Sequence, residues 1–213
     1  MRTAEQVNEI ISRLEAEYPI AECSLDYGKD YELLFATRLA AQCTDERVNK
    51  ITPVLYARYP TLQAIAQAEL LEMEEIIRSC GFYHTKARDI IQCANVLLER
   101  YGGRVPDTME VLITLPGVGR KTANLILGDV FGKPAVVVDT HCIRLTNRIG
   151  LVDNLKDPTK IEMKLRELLP PEKSSDFCHR MVLHGRAVCQ ARKPLCEKCC
   201  IRHLCKEFAG DAE

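Results

Sequence analysis

Tryptophan is absent from this sequence, and phenylalanine and tyrosine together make only 6% of its 213 residues. The hydrophobic fraction, 46%, is therefore mostly aliphatic. No apolar run approaches the ~18 residues needed to cross a bilayer, which excludes a helical membrane span. The start, MRTAEQVNEIISRLEAEYP, mixes acids and arginines into an amphipathic pattern and lacks the apolar core of a secretory signal. A soluble, intracellular protein without a membrane partner is expected. Internal repeats, low-complexity stretches and long linkers are also missing, which excludes solenoids and arrays. Net charge is close to zero, at −1, so bulk charge gives no hint of a nucleic-acid partner.

The distribution of charge is more informative. Residues 1–75 hold 7 Lys/Arg against 14 Asp/Glu, and residues 76–213 hold 22 against 16. Such asymmetry suggests a basic face built from the second part of the chain. Chance patterning of solvated faces would give the same count.

Nearly every segment carries a helical period. Val7, Ile10, Ile11 and Leu14 line one face of the first helix. Further helices are expected over 32–39, over 46–60 with Asp45 as its cap, over 61–66 and 69–80, with Gly81 as the stop, and over 85–101, ended by Gly102-Gly103. Others follow over 107–115, 121–131, 141–149, 158–169 and 174–189. The one β-like run, Ala135-Val-Val-Val138, has no partner and reads as a buried extended segment. The fold class is all-α, with roughly ten short helices.

Eleven cysteines stand out. Cys23, Cys43, Cys80, Cys93, Cys142 and Cys178 are scattered, mostly among apolar neighbours, and read as small core residues. The rest crowd into CQARKPLCEKCCIRHLC. Cys189, Cys196, Cys199 and Cys205 give the spacing C-x6-C-x2-C-x5-C. Four thiolates this close select zinc or an iron–sulfur centre, and the single short pair with long flanking loops favours the larger [4Fe–4S] group. Cys200 could replace Cys199 only by changing the spacing. Arg192 and Lys193, at the tip of the first loop, would point outward as phosphate contacts or as solubilising charges.

The stretch LPGVGRKTANLIL raises the chemical question. A Pro116-Gly117-Val118-Gly119 turn between helices can bend sharply where glycines accept positive φ, with Val118 directed into the core. Its outward N–H groups, with those of the next helix, suit a backbone phosphate. Arg120 and Lys121 are poorly placed there for stability, because a helix N-terminus is itself partly positive. A free lysine amine has a pKa of about 10.4. Neighbouring positive potential, and burial against DNA, would lower it and yield a nucleophile able to form a Schiff base. A plain phosphate contact is the bland alternative. Asp139, in VVVDTHCIR, could stabilise an oxocarbenium-like sugar or accept the lysine proton. Taken alone, Asp139 reads as a helix N-cap.

Together, LAAQCTD, GFYHTKARDI, LPGVGRKTAN, VDTHCIR and the cysteine cluster, in that order, resemble the endonuclease III family of the helix-hairpin-helix DNA glycosylase superfamily. The resemblance implies a bifunctional DNA glycosylase/AP lyase acting on oxidised pyrimidines in duplex DNA and on abasic sites. It implies a likeness in fold too: a six-helix domain over 23–134 containing the hairpin 107–131, and a [4Fe–4S] domain made of 1–22 plus 135–213, with DNA in the cleft. By motif match Lys121 is the Schiff-base nucleophile and Asp139 the catalytic carboxylate. The same match gives Cys189, Cys196, Cys199 and Cys205 as cluster ligands. Gln42 would fill the gap left by an extruded nucleotide, and Phe82 stands at a wedge position that is often leucine in the family. Gly117, Gly119, Arg120, Thr122, His141, Arg192 and Lys193 complete the implied DNA contacts. A monomer in prokaryotic cytoplasm, associated with the nucleoid, is the expected setting.

Overall fold

The computed structural model describes residues 2–210. Among these no strand occurs, and the chain forms twelve α-helices joined by turns and short 3₁₀ segments. In order they are α1 (Ala4–Glu17), α2 (Asp30–Ala40), α3 (Asp45–Arg58), α4 (Leu62–Ala66), α5 (Leu70–Ile77), α6 (Tyr83–Tyr101), α7 (Met109–Leu112), α8 (Arg120–Asp129), α9 (Thr140–Ile149), α10 (Pro158–Leu168), α11 (Ser174–Ala187) and α12 (Lys206–Gly210). Two compact units result, one of residues 23–131 and one of residues 1–22 with 132–213. No helix among the described residues is long and apolar enough to cross a membrane.

In the 23–131 unit, α2 is the central element. Leu33, Leu34, Phe35, Ala36 and Leu39 are all buried, and the helix packs against α3, α6 and α8. A helix apolar on most sides must be enclosed by others. The long α6 carries α4 and α5 on its flank and ends at Gly102, whose φ of +60° is the left-handed stop expected of glycine. Thr44, not Asp45, caps α3: its hydroxyl accepts from the Arg47 N–H, while the Asp45 carboxylate takes the Ser24 hydroxyl. α7 is shorter than its apolar pattern suggests, because the chain after Leu112 closes into turns at Thr114 and Leu115.

In the other unit, the stripe Val7, Ile10, Ile11 and Leu14 is buried as its period requires, and α1 lies against α11. Burying these four side chains is worth roughly 6–12 kcal/mol before chain entropy is charged. Thr3 and Gln6 close a capping box at the start of α1. The run Ala135–Val138 is extended and buried, and the Ala135 N–H donates to the Ser174 hydroxyl. It delivers Asp139 to the N-cap position of α9, which packs on α11 and α12.

Candidate active site and cysteine-lined cavity

The glycine turn lies in the 23–131 unit. Gly117 takes φ +74°, and a Cβ there would lie 2.9 Å from the Arg38 side chain and from the Asp89 Cβ. Arg38 and Asp89 form an ion pair at 2.7 Å, so the turn rests directly on that pair. Pro116 and Val118 line the same crevice as Leu34, Phe35, Ile90 and Cys93, which fastens the turn to α2 and α6. Gly119 departs from expectation. It is extended, with φ −99° and ψ 175°, and serves as the N-cap of α8. Its lack of a side chain leaves the first-turn N–H groups without a side-chain cap.

Lys121 is the second residue of α8 and is exposed. Its side chain makes no hydrogen bond or ion pair among the described residues. Arg120 and Thr122 flank it, both half-buried. Two further residues of this unit hold left-handed backbones that non-glycine residues rarely adopt: Gln42 at φ 54° and Phe82 at φ 48°. Both are exposed, Phe82 by 66%. Such outliers cost about 1 kcal/mol or more each and point to function rather than stability.

Lys86 had no signal in the sequence. The residue is 1% exposed, and its ammonium donates to the Leu39 and Cys80 carbonyls, both at 2.8 Å. One buried cation therefore ties together the two backbone segments that lead into Gln42 and Phe82.

In the second unit, Asp139 is half-buried and caps α9, its Oδ1 accepting from the Cys142 N–H at 2.7 Å. His141 lies two residues on, with Nδ1 3.1 Å from Arg144, whose guanidinium also donates to the Gly185 and Cys189 carbonyls. Gly185, inside α11, admits this contact. A Cβ there would collide with the His141 ring. An isolated glycine in a helical run is the sequence signal for such an approach.

Cys189, Cys196, Cys199 and Cys205 line one cavity of about 60 Å³. Cys200 does not line it. It is half-buried beside charges on α1, Glu17 and Arg13. Among the described residues no three His, Cys, Asp or Glu side chains are gathered closely enough for a single metal ion. Three cavity sulfurs have outer partners: Arg148 donates to Cys189 Sγ at 3.5 Å, Cys199 Sγ lies 3.3 Å from His184 Nε2, and Cys205 Sγ donates to the Arg148 carbonyl at 3.3 Å. His184 is 1% exposed, and burial lowers its pKa to about 4, so the ring is neutral. Its Nδ1 meets the Tyr18 hydroxyl at 3.0 Å. A neutral ring that accepts from Tyr18 has its one N–H directed at Cys199. Arg148 also holds the carbonyls of Gln190 and Ala191, at the base of the loop that exposes Arg192 and Lys193.

Residues 35–171 match the family model described as "HhH-GPD superfamily base excision DNA repair protein". The chain is 49% identical over 202 residues to the endonuclease III of Synechocystis sp., covering 94% of this chain and 92% of that one. It is 40% identical over 198 residues to the endonuclease III of Escherichia coli, covering 93% of each. Among solved structures, a trapped endonuclease III–DNA covalent intermediate superposes with a TM-score of 0.93 at 38% identity over the whole of both chains. The residues of the hairpin, the Asp139 cap and the cysteine cavity thus sit in a chain that belongs to the HhH-GPD superfamily of base excision repair proteins and, within it, to the endonuclease III family.

Proposed function

We propose that this chain is a bifunctional DNA glycosylase/AP lyase that removes oxidised pyrimidines from duplex DNA and cuts the strand 3′ to the abasic site. One observation carries the reading: an exposed lysine without a side-chain partner, on the first turn of a helix behind a glycine turn, in a chain similar to one trapped covalently on DNA.

The N–H groups around Gly117 and Gly119 receive a backbone phosphate, with Arg120 and Thr122 beside them. The damaged nucleotide rotates out of the stack at a cost of a few kcal/mol, and Gln42 and Phe82 fill its place. The Lys121 amine attacks the sugar C1′ and displaces the base. Asp139 holds negative charge towards the developing cation and takes a proton from the lysine. The C1′–O4′ bond then breaks, O4′ taking a proton, and the adduct becomes an imine; the imine acidifies the C2′ hydrogen, and β-elimination breaks the 3′ C–O bond. His141, Arg192 and Lys193 add contacts to the DNA backbone.

Cys189, Cys196, Cys199 and Cys205 are assigned as ligands of a [4Fe–4S] cluster. The donor set fits such a group. Burial pushes the Cys199 thiol up to about 12 and raises Cys196 too, so converging thiolates there require a compensating cation. Their arrangement around a cavity, rather than about one point, suits a multi-atom centre over zinc. When bound, the cluster ties the ends of the 189–205 segment together and holds the Arg192–Lys193 loop. A protein acting on chromosomal DNA in a prokaryote would work in the cytoplasm, at the nucleoid.

The test uses a duplex carrying thymine glycol, with and without borohydride. Wild type releases the base, nicks the strand and becomes covalently trapped on reduction. Lys121→Gln binds the duplex and does none of these. A Lys121→Gln protein that still crosslinks would remove the nucleophile assignment. A wild type that binds damaged duplex without releasing a base would reduce the chain to a binding module.

A further inference from the structure

Gln42 and Phe82 each stand just past the end of a helical segment, α2 at Ala40 and a 3₁₀ turn over Arg78–Cys80. The last carbonyls of such segments have no partner within them. Among the described residues, neither the Leu39 nor the Cys80 carbonyl takes a backbone N–H. One side chain takes both, the Lys86 ammonium, at 2.8 Å each. The Lys86 backbone N–H donates in turn to the Phe82 carbonyl at 3.0 Å. Phe82 is thus held from before and behind by the same residue. Lys86 is a costly choice for this place. It is the fourth residue of α6, near the positive end of that helix dipole, where a cation is disfavoured. At 1% exposure its charge is tolerated only because its donors are satisfied, and burial lowers its pKa. Its own helix gains nothing from the charge, while the C-terminus of α2 gains a cation at its negative pole.

We propose that Lys86 is a positioning residue for lesion extrusion: by binding the Leu39 and Cys80 carbonyls it holds Gln42 and Phe82 in their left-handed conformations, at a fixed separation, before DNA arrives. This rests on the DNA role given to Gln42 and Phe82 above.

A left-handed residue other than glycine persists only where its surroundings over-determine it. Part of that support is local. The Cys43 N–H donates to the Ala40 carbonyl at 3.0 Å, and the Gly81 N–H to the Arg78 carbonyl at 3.2 Å. Those bonds shape each turn by itself and leave the distance between the two turns unset. Lys86 sets it, because two carbonyl oxygens on one nitrogen lie no more than twice 2.8 Å apart. Side chains that fill one gap together need such a constraint. Without it each segment would sample other backbone conformations, and the entropy of ordering them would be charged to the extrusion step. Buried as it is, Lys86 cannot itself reach a nucleotide, so its effect on turnover passes through the segments it holds.

The test is a mutant cycle on cluster-loaded protein, read by single-turnover base release from a thymine-glycol duplex. Lys86→Met keeps an unbranched apolar stem and removes the donors. It should slow base release about 30-fold (~2 kcal/mol). In a Gln42→Ala/Phe82→Ala background, already slow, adding Lys86→Met should cost less than about threefold more, because the side chains it positions are gone. A merely structural lysine would slow both backgrounds alike. A further 30-fold fall in the triple variant therefore overturns the positioning role, as does Lys86→Met turnover within about threefold of wild type. Amide hydrogen exchange gives a measure that needs no variant and no activity. In DNA-free wild type the Ala41, Cys43 and Gly81 N–H groups, each bonded to a carbonyl three residues back or fewer than four, should already exchange slowly, and an abasic-analogue duplex should change them little. Protection that appears only with DNA overturns the proposal. A wild type with this protection that never releases base refutes the glycosylase reading alone, whereas one that releases base without it refutes the positioning role alone.

Discussion

Asp139 has two possible employments, and their energies separate them. Its Oδ1 accepts the Cys142 N–H at 2.7 Å, as a helix cap does. Removing that acceptor with Asp139→Ala should cost about 1 kcal/mol, which lowers the melting temperature of a chain this size by roughly 2–4 °C. Asp139→Asn keeps a cap of equal rank and loses only the charge at the helix N-terminus, worth ~0.3–1 kcal/mol. If the carboxylate also holds charge and moves a proton during base release, Asp139→Asn should lower turnover by about 10²–10⁴-fold, or ~3–5 kcal/mol at the transition state. The catalytic loss then exceeds the folding loss several-fold, and a stable protein is nearly inactive. Calorimetric melting of cluster-loaded protein and single-turnover base release measure the two quantities, and binding to an abasic-analogue duplex should change little. Turnover of Asp139→Asn within twofold of wild type would leave the residue as a cap alone. A fall in melting temperature equal to that of Asp139→Ala would show that the cap geometry is wrong.

Other consequences follow from particular contacts. Gly117→Ala forces a side chain into φ +74° and into the Arg38–Asp89 pair, so it should lose about 2 kcal/mol of stability and weaken DNA binding together; a variant that melts and binds like wild type would separate the turn from that pair. Cys199→Ser should lose the visible absorbance of an iron–sulfur cluster and its iron, whereas Cys200→Ser, which removes a thiol outside the cavity, should keep both. His184 gives a pH dependence with a defined sign. Its folded pKa of about 4 lies below the unfolded value near 6.5, so its neutral form stabilises the fold fully above about pH 6.5. That contribution is lost as pH falls from about 6.5 towards 4, by up to ~3 kcal/mol. Denaturant titrations across this window should show the decline in wild type and a flatter profile in His184→Gln.

Much of this was legible in the chain before any coordinates. Helices α1, α6 and α9 follow from their apolar spacing, and the glycine stops at Gly81 and Gly102 were visible because left-handed backbone favours one residue type. The hairpin and the cysteine spacing are local signals, since their chemistry lies within a few residues. What periodicity does not encode is which distant group a polar side chain will reach. Lys86 falls on the inward side of α6, yet only packing shows that the Leu39 and Cys80 carbonyls take its ammonium. Gly117 needed Arg38 and Asp89 beneath it before its glycine became obligatory, while Gly119 proved to be an extended cap. Gly185 matters because His141 presses on it from another helix, and Cys199 is distinguished from Cys200 by the direction each thiol faces. Backbone propensity and hydrophobic period are properties of neighbours along the chain, and the sequence settled those. Close approach, burial of charge and convergence of thiols depend on residues far apart, and only the tertiary structure decided them.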